Sequence, residues 1–332
     1  MKKIFAYILI AFIWPIFGFA EKLEKEKPTH FAIKSDDNKY SLKFSGLLQT
    51  LAKFEKSQEK NDFDFSLRRA RLGMSGSILD PMLTFGVKAA FEKEIPLGFS
   101  EGKKMSIVQL HDYYVDLSLC KKDRFHLKAG KFALPFFGKV SSSKTQFLDP
   151  FLAQKGFGFD SGIGVMVHGS LPKDFDYGLA VVQRGLVGRV AYNHGNIDVT
   201  DAVAYADDAG FSLGVNGALG TDYSTKFDDN RAGVDYLAKY KRFSSNGAFY
   251  YQRKEKDNNF GVGFDAGYLL IDHLEPVARY SMANTKKAQH EAALGLNYYI
   301  IGHNLKVQVE GGASITDKFG PWHIQTDLQL AF

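Results

Sequence analysis

The last eleven residues of the chain alternate without a break between apolar and polar side chains. One face carries Trp322, Ile324, Thr326, Leu328, Leu330 and Phe332, and the other carries His323, Gln325, Asp327, Gln329 and Ala331. Because successive side chains of a β-strand point to opposite faces, this pattern predicts a strand with one apolar and one polar side. A strand of about ten residues with this alternation is the unit of a transmembrane β-barrel. Taken alone, the segment leaves a half-buried strand of a soluble β-sandwich as the alternative.

The first twenty residues have the form of a secretory signal peptide. Lys2 and Lys3 precede an apolar run over residues 4–19, and the run ends in the small-x-small triplet at residues 18–20. We therefore predict that residues 1–20 are a signal peptide cleaved between Ala20 and Glu21. The alternative is an uncleaved anchor, but the run is short for a membrane-spanning helix. An exported chain with a barrel-type last strand is expected in the bacterial outer membrane, as a multi-pass β-barrel.

Residues 21–39 are charged and poor in apolar side chains, which predicts a flexible periplasmic arm. Period-two segments then follow one another over residues 40–332, which we predict to be a single barrel domain. The 32 Gly, 29 Phe and 16 Tyr of the chain fit β-structure with wet and apolar faces.

The connections between these segments give the strand count. Seven short turns are predicted at residues 79–82, 120–123, 171–174, 207–210, 241–242, 271–273 and 301–304. Eight longer loops are predicted near residues 55–62, 92–104, 133–155, 185–197, 220–230, 253–260, 282–290 and 314–321, although residues 189–193 fit a strand as well. The fold class is therefore all-β: a transmembrane antiparallel barrel of about 16 strands, with short periplasmic turns and long outer loops. A barrel of this size encloses an aqueous lumen.

The longest predicted loop, the third one at residues 133–155, interrupts an otherwise regular pattern and contains Lys139 and Lys144. Loops of this length in a compact domain are usually functional. We expect this loop to fold inward and narrow the lumen.

Several segments resemble motifs of the phosphate-selective porin O and P family. Residues 65–73 (FSLRRARLG) resemble its second-strand signature, and residues 128–136 (KAGKFALPF) its entry into the third loop. Residues 274–281 (LEPVARYS) are similar to its thirteenth strand, and residues 295–306 resemble its last hairpin. The resemblance implies a homotrimeric, 16-stranded anion channel with inward loops, and phosphate or polyphosphate as cargo. The chain has only ten Arg, fewer than the dense arginine ladder that the resemblance would imply.

Strand parity nominates the basic side chains that line the lumen, because selectivity in a channel comes from charged rings and constriction width. The apolar face lies on odd residues up to Leu67 and on even residues from Ala70, which predicts a β-bulge at Arg68-Arg69 that lets Arg68, Arg69 and Arg71 all face inward. The anion-selective candidates are Arg68, Arg69, Arg71, Lys88, Arg124, His126, Lys128, Lys139, Lys144, Arg231, Lys239, Arg279 and Lys306.

A competing interpretation is that these bases pair with acidic residues of the same parity. The acidic residues are Asp64, Glu92, Asp112, Asp116, Asp235, Glu275, Glu310 and Asp327. The favoured function is passive diffusion of small anions, including phosphate. The alternatives are a general non-selective porin and a structural or adhesion barrel with a plugged lumen.

The sequence does not favour an enzyme. Residues 98–102 and 210–214 both match G-x-S-x-G, but neither lies in a strand-turn-helix context. The single Cys120 excludes an intramolecular disulfide, and the nine scattered His predict no metal site; no cofactor is expected. The formal charge of +5 falls to +3 without Lys2 and Lys3, so no nucleic-acid partner is expected. The expected partners are outer-membrane lipids, small anions such as phosphate, further copies of the chain, and the barrel-assembly machinery, which would read the strand that ends in Phe332.

Overall fold

In a computed structural model of the chain, the structure describes residues 31–57, 61–80, 82–91, 95–96, 109–120, 123–138, 140–158, 161–183, 185–220, 229–285, 287–316 and 319–332. The predicted signal peptide with its cleavage site at Ala20 and Glu21, and the candidate Lys139, lie outside these residues. Among the described residues, no helix has the length and apolar character needed to cross a membrane, and this finding does not bear on a β-barrel.

The described chain is almost entirely β-strand. Its elements are β1 (Ala32–Lys34), β2 (Tyr40–Lys56), β3 (Asn61–Ile78), β4 (Leu83–Ala90), β5 (Ile95–Pro96), β6 (Gln109–Ser118), β7 (His126–Ala133), α1 (Leu152–Phe157), β8 (Ser161–Leu171), β9 (Phe175–Val182), β10 (Gly185–Asn196), β11 (Ala209–Gly220), β12 (Asp229–Tyr240), β13 (Phe243–Lys254), β14 (Asp257–Tyr268), β15 (Leu274–Asn284), β16 (Ala288–Ile301), β17 (Leu305–Ile315) and β18 (Phe319–Ala331).

Sixteen of these strands close into one antiparallel ring, as the sequence predicts. Each strand pairs with the next along the chain, and β18 closes the ring on β2. The short β1 lies outside the ring and pairs with β2, where the sequence predicts a flexible arm, and β5 pairs with β3 beyond the end of β4. We call the end of the ring that carries the β3–β4 turn and Phe332 the turn end, and the opposite end the loop end.

The barrel is inside-out relative to a soluble protein. Large apolar side chains such as Leu294, Val181 and Val215 are 71%, 64% and 61% exposed on its outer face. Polar side chains such as Gln329, Asp327 and Lys306 point inward and are 0% exposed. A continuous apolar outer surface of this extent requires an apolar surrounding, which is what a bilayer provides. The alternation of the last strand, β18, is therefore confirmed.

One predicted loop is wrong. Residues 185–196 form β10 rather than a fourth outer loop, and the connection at the loop end between β9 and β10 spans only residues 183–184. The predicted loop at residues 185–197 and the predicted turn at residues 207–210 left room for a strand between them, but residues 197–208 connect β10 to β11 at the turn end. The sequence already allowed a strand at residues 189–193, and pairing of β10 with β9 and β11 decides in its favour. The strand count is unchanged.

Several loop-end connections are also shorter than the sequence predicts. The β13–β14 connection consists of residues 255–256, and the β15–β16 connection of residues 285–287. In both, the ladder pairing continues into residues expected to be loop, because polar residues at a strand end are compatible with either state.

Candidate functional site

The long segment between β7 and β8 turns into the lumen, as the sequence predicts. We call its described residues 134–138 and 140–158 the inward loop. Phe136, Phe147 and Phe157 in it are almost fully buried, and α1 at its end packs against β13, β14 and β15. Apolar residues of the inner wall, among them Tyr250, complete a cluster around Phe136 and Phe157, and Phe147 packs separately against Val277 and Ala293. Burying a Phe side chain contributes about 1.5–3 kcal/mol, so apolar packing holds the loop in place.

Basic side chains of the barrel wall also form hydrogen bonds with the inward loop. The bulge predicted at Arg68-Arg69 is present, because Gln49 pairs with Arg69 and Thr50 with Leu67, which leaves Arg68 as the extra residue. Arg68 donates hydrogen bonds to the carbonyl of Leu148 and to Oδ1 of Asp149 at 2.8 Å.

The neighbouring arginines of β3 also reach the loop. Nη1 of Arg69 lies 3.4 Å from the carbonyl oxygen of Ser142, and Nη1 of Arg71 lies 3.3 Å from its Oγ. All three arginines therefore meet the inward loop.

Arg279 on β15 binds the wall and the loop at once. It makes a bidentate pair with Asp265 on β14 and donates from Nη1 to the carbonyl of Asp149 at 2.6 Å. Its guanidinium also lies 4.3 Å from the ring centroid of Phe147. Arg231 similarly donates to the carbonyl of Phe157 at 2.7 Å.

Polar residues of β13 and β15–β17 bind the middle of the loop. Gln146 donates to Oε1 of Glu275 at 2.7 Å and to Oγ of Ser244 at 2.8 Å. Nζ of the fully buried Lys306 donates to the carbonyl of Thr145 at 3.1 Å. Glu310 accepts from the backbone N–H of Leu148 at 2.9 Å. Sequence parity gave the inward direction of Glu275, Lys306 and Glu310, but could not show that their partner is the loop.

A second segment enters the lumen from the turn end, and the sequence does not predict it. We call residues 197–208 the turn-end segment; its Ala202, Val203 and Ala204 are at most 1% exposed. Val203 packs against Leu269 and Tyr299 of the wall. The segment was missed because the predicted loop at residues 185–197 and the predicted turn at residues 207–210 left a strand at this place, although its small apolar run is compatible with burial.

The turn-end segment and the inward loop touch. The backbone N–H of Ser141 donates to the carbonyl of Thr200 at 2.8 Å, and that of Ala202 donates to the carbonyl of Lys144 at 3.1 Å. Nζ of Lys144 also lies 3.1 Å from Oδ2 of Asp198. The candidate Lys144 therefore joins the two inserted segments.

Two carboxyl groups of the turn-end segment have pKa values below the usual range. Partial burial raises the pKa of Asp198, but hydrogen bonds from Thr200 and Lys144 outweigh this and lower it to about 2. Burial likewise raises the pKa of Asp201, and the hydrogen bond with His303 outweighs it, so that the net pKa is lowered. Burial lowers the pKa of His303 itself. The contact between Nε2 of His303 and Oδ2 of Asp201 is 2.9 Å long.

The remaining lumen candidates lie against carboxylates. Nζ of Lys88 is 3.2 Å from Asp112, and Nζ of Lys128 is 3.0 Å from Asp116. Nζ of Lys239 is 3.6 Å from Asp208, and Nη2 of Arg231 is 2.6 Å from Asp229. His126 lies 3.5 Å from Asp116. Lys88, Lys128 and His126 therefore lie against acids that the competing interpretation names. The partners of Lys239 and Arg231 are acids that it does not name.

Two positions differ from the sequence prediction. Arg124 is exposed in the connection before β7 and not on the strand, because the β6–β7 ladder ends at the pair Ser118–His126. Arg189 on β10 was missed because its segment was assigned to a loop, although Val187, Arg189 and Ala191 show inward parity. It forms a buried bidentate pair with Asp235, with Nε–Oδ2 at 3.0 Å and Nη2–Oδ1 at 2.6 Å.

Two cavities lie beside the inward loop. One of about 210 Å³ is lined by Arg69, Arg189 and Arg279 together with acidic residues. The other, of about 450 Å³, is lined by residues of β7–β10 and includes Lys128. Both include Phe137 and Arg189 in their linings, so they adjoin along one side of the loop.

Comparison with known proteins agrees with this architecture. The family model of the phosphate-selective porin O and P matches residues 46–254, more than half of the chain. No curated protein matches the chain by sequence. Among solved structures, the anion-selective porin from Comamonas acidovorans superimposes with a TM-score of 0.63 at 14% identity, over 88% of this chain and 100% of that one.

Two further solved structures share the fold. The in-vitro folded OmpT, an outer membrane protein of Vibrio cholerae in its trimer form, has a TM-score of 0.59 at 12% identity, over 88% of this chain and 99% of that one. The outer membrane channel DcaP of Acinetobacter baumannii has a TM-score of 0.61 at 11% identity, over 90% of this chain and 99% of that one.

Proposed function

This chain belongs to the phosphate-selective porin O and P family, and from that membership we propose that it forms a water-filled channel for passive diffusion of small anions across the outer membrane. The family and the barrel fold are of the channel type and not of an enzyme type. By analogy with bacterial barrels, the turn end would face the periplasm.

The observation that carries the anion proposal is the arginine cluster at the bulge of β3. Arg68, Arg69 and Arg71 converge on the inward loop at one place along the lumen. Lys306 on β17 is a fourth basic side chain that faces the inward loop, and the acidic side chains around the four include Asp149, Glu275, Glu310 and Asp327. A cluster of fixed positive charge at a constriction raises the local concentration of anions.

Reversal potentials in planar bilayers test this proposal. Across a KCl gradient, the full-length chain purified from outer membranes should favour chloride over potassium. Arg69→Gln with Arg71→Gln should shift the reversal potential toward cations, whereas Lys241→Gln in the exposed β12–β13 turn should not. Cation preference in the unmodified channel would contradict the anion proposal and leave the porin family assignment intact.

Phosphate or polyphosphate as preferred cargo is the finer proposal, supported by the description of the family and by the same arginines. Phosphate should then block the chloride current at low concentration, and the double Arg69/Arg71 variant should need more phosphate for the same block. Equal currents with and without phosphate would favour a general porin.

A barrel with a closed lumen is the second candidate, and the contact between the inward loop and the turn-end segment favours it. Deletion of residues 199–204 distinguishes the two, because it removes the buried part of the turn-end segment. If the unmodified barrel conducts nothing and the deletion variant conducts, the lumen is closed by this contact. Steady conductance of the unmodified barrel contradicts this candidate.

Assembly into a homotrimer in the outer-membrane lipid is also proposed. The trimeric form of the Vibrio cholerae relative supports it. Analytical ultracentrifugation in detergent of matched density should give three chains per particle.

A further inference from the structure

We propose that Asp116, His126 and His168 form a binding site for a divalent transition-metal ion of the zinc class in the lumen wall at the turn end. The three residues come from the neighbouring strands β6, β7 and β8. His126 is directly opposite His168 in the β7–β8 ladder, and Asp116 is opposite Lys128 in the β6–β7 ladder. All three have inward parity, so antiparallel pairing brings together side chains that are far apart in the sequence.

The distances between the donor atoms suit a metal ion. Oδ1 of Asp116 lies 3.5 Å from Nδ1 of His126, and its Oδ2 lies 3.0 Å from Nε2 of His168. One ligand atom from each residue can be chosen so that all three lie within 4.8 Å of one another. Ligands at 2.0–2.2 Å from a tetrahedral ion are about 3.4 Å apart, so small side-chain rotations suffice.

The surroundings also favour a ligand site over simple packing. Oδ1 of Asp116 is buried and has no hydrogen-bond partner among the described residues. The two imidazole rings lie stacked, with centroids 5.0 Å apart, so one ring must turn about its Cβ–Cγ bond for both nitrogen lone pairs to point at one ion. A buried carboxylate oxygen without a donor is costly, and a cation would satisfy it.

The type of metal follows from the ligands. Two imidazole nitrogens and one carboxylate oxygen suit Zn²⁺ and its neighbours better than Mg²⁺ or Ca²⁺, which prefer oxygen. Three protein ligands leave a fourth position for water or another small ligand. The adjoining cavity of about 450 Å³, which His126 and His168 line, gives that position access to the lumen.

Lys128 is the competitor for this site. Its Nζ lies 3.0 Å from Oδ2 of Asp116 and 4.5 Å from the ring centroid of Tyr114. A metal ion and this ammonium group would share one carboxylate, so the positive charge of Lys128 should weaken metal binding. A cluster that only stabilises the wall would show no metal affinity that depends on the charge of Lys128.

Zinc titration by calorimetry tests the site on the full-length chain purified in detergent. One Zn²⁺ per chain is expected. His168→Asn and His126→Asn should each lower the affinity at least tenfold, since even loss of a residue that only orients a ligand costs about 10- to 100-fold. Lys128→Gln should raise the affinity. His194→Asn, an exposed residue at the same end of the barrel, is the matched control and should leave binding unchanged.

Cobalt spectroscopy gives a second measurement that does not depend on channel activity. Co²⁺ bound at the site should show the visible absorption of a four-coordinate ion, and this band should vanish in the double variant of both histidines. Heat-dependent mobility on gels verifies that each variant is a folded barrel. Zinc binding that is unchanged in a folded double variant, or absent from the unmodified chain, overturns the proposal.

Discussion

The guanidinium of Arg279 makes two parallel hydrogen bonds to the carboxylate of Asp265 on the neighbouring strand, with Nε–Oδ1 at 2.7 Å and Nη2–Oδ2 at 2.8 Å. Both side chains are almost fully buried. The third edge of the guanidinium is directed at the inward loop, where it meets the carbonyl of Asp149. One residue therefore fixes two strands of the wall and the loop that narrows the lumen.

Arg279→Gln should destabilise the barrel and release the inward loop. Removing one partner of a buried pair leaves the other uncompensated and costs about 3–5 kcal/mol. The free energy of unfolding, followed by Trp322 fluorescence during denaturant titration in lipid vesicles, should fall by that order, and single-channel current should become noisier. Arg242→Gln removes the exposed pair with Asp272 and should cost about 0–1 kcal/mol. Equal costs for both variants would show that burial of the Arg279 pair is irrelevant.

Deletion of Arg68 should leave the faces of β3 intact. Arg68 is the extra residue of the bulge, so without it Leu67 and Arg69 alternate regularly and keep their partners Thr50 and Gln49. Deletion of Ala70 instead turns Arg69 toward lipid, which costs about 2–4 kcal/mol at the bilayer midplane. Denaturant unfolding of the two deletion variants should therefore rank the Arg68 deletion as the more stable. The reverse ranking contradicts this account of the bulge.

The contact between Lys144 and Asp198 should be lost in acid. The pKa of Asp198 is lowered to about 2 in the folded chain, against about 3.9 for a free Asp side chain. A lowered pKa contributes stability that is complete above the unfolded value and disappears as the pH falls through the folded one. Conductance should therefore change between about pH 4 and pH 2 as the turn-end segment loosens.

Two variants verify that Asp198 is responsible. Asp198→Asn should show the acid-type conductance already at neutral pH and lose that part of the pH dependence. Asp207→Asn, an exposed residue of the same segment, should behave like the unmodified chain. A transition that persists unchanged in Asp198→Asn would mean that another group titrates.

Replacing Phe332 should reduce barrel assembly by more than the loss of its apolar surface explains. Its backbone exchanges two hydrogen bonds with Gly46, of 3.0 and 3.1 Å, where the last strand meets β2. If assembly machinery reads the terminal aromatic residue, Phe332→Ala should lower the amount of heat-modifiable barrel in the outer membrane. Leu330→Ala removes a similarly exposed apolar side chain two residues earlier and should have a smaller effect. Equal losses would point to apolar area alone.

The inward direction of most candidates was predictable from the sequence, and their partners were not. Parity gave the inward face of Lys88, Lys128, Arg231, Arg279 and Lys306 because the period of a strand is two. The bulge at Arg68 was predictable for the same reason, since the apolar face changes parity there. Arg189 was missed because its segment was assigned to a loop. Arg124 was assigned to a strand that begins two residues later, because strand ends depend on pairing with the neighbouring strand.

The sequence by itself determined the barrel, its number of strands and the inward or outward face of most side chains on them. These properties are local, because neighbouring residues in a strand encode them in their alternation. Only the tertiary structure decided what fills the lumen. Arg279 and Asp149 are 130 positions apart, and His303 and Asp201 are 102 apart. Such contacts exist because closure of the ring brings distant strands around the inward loop and the turn-end segment, and no short-range pattern records which residues will then face each other.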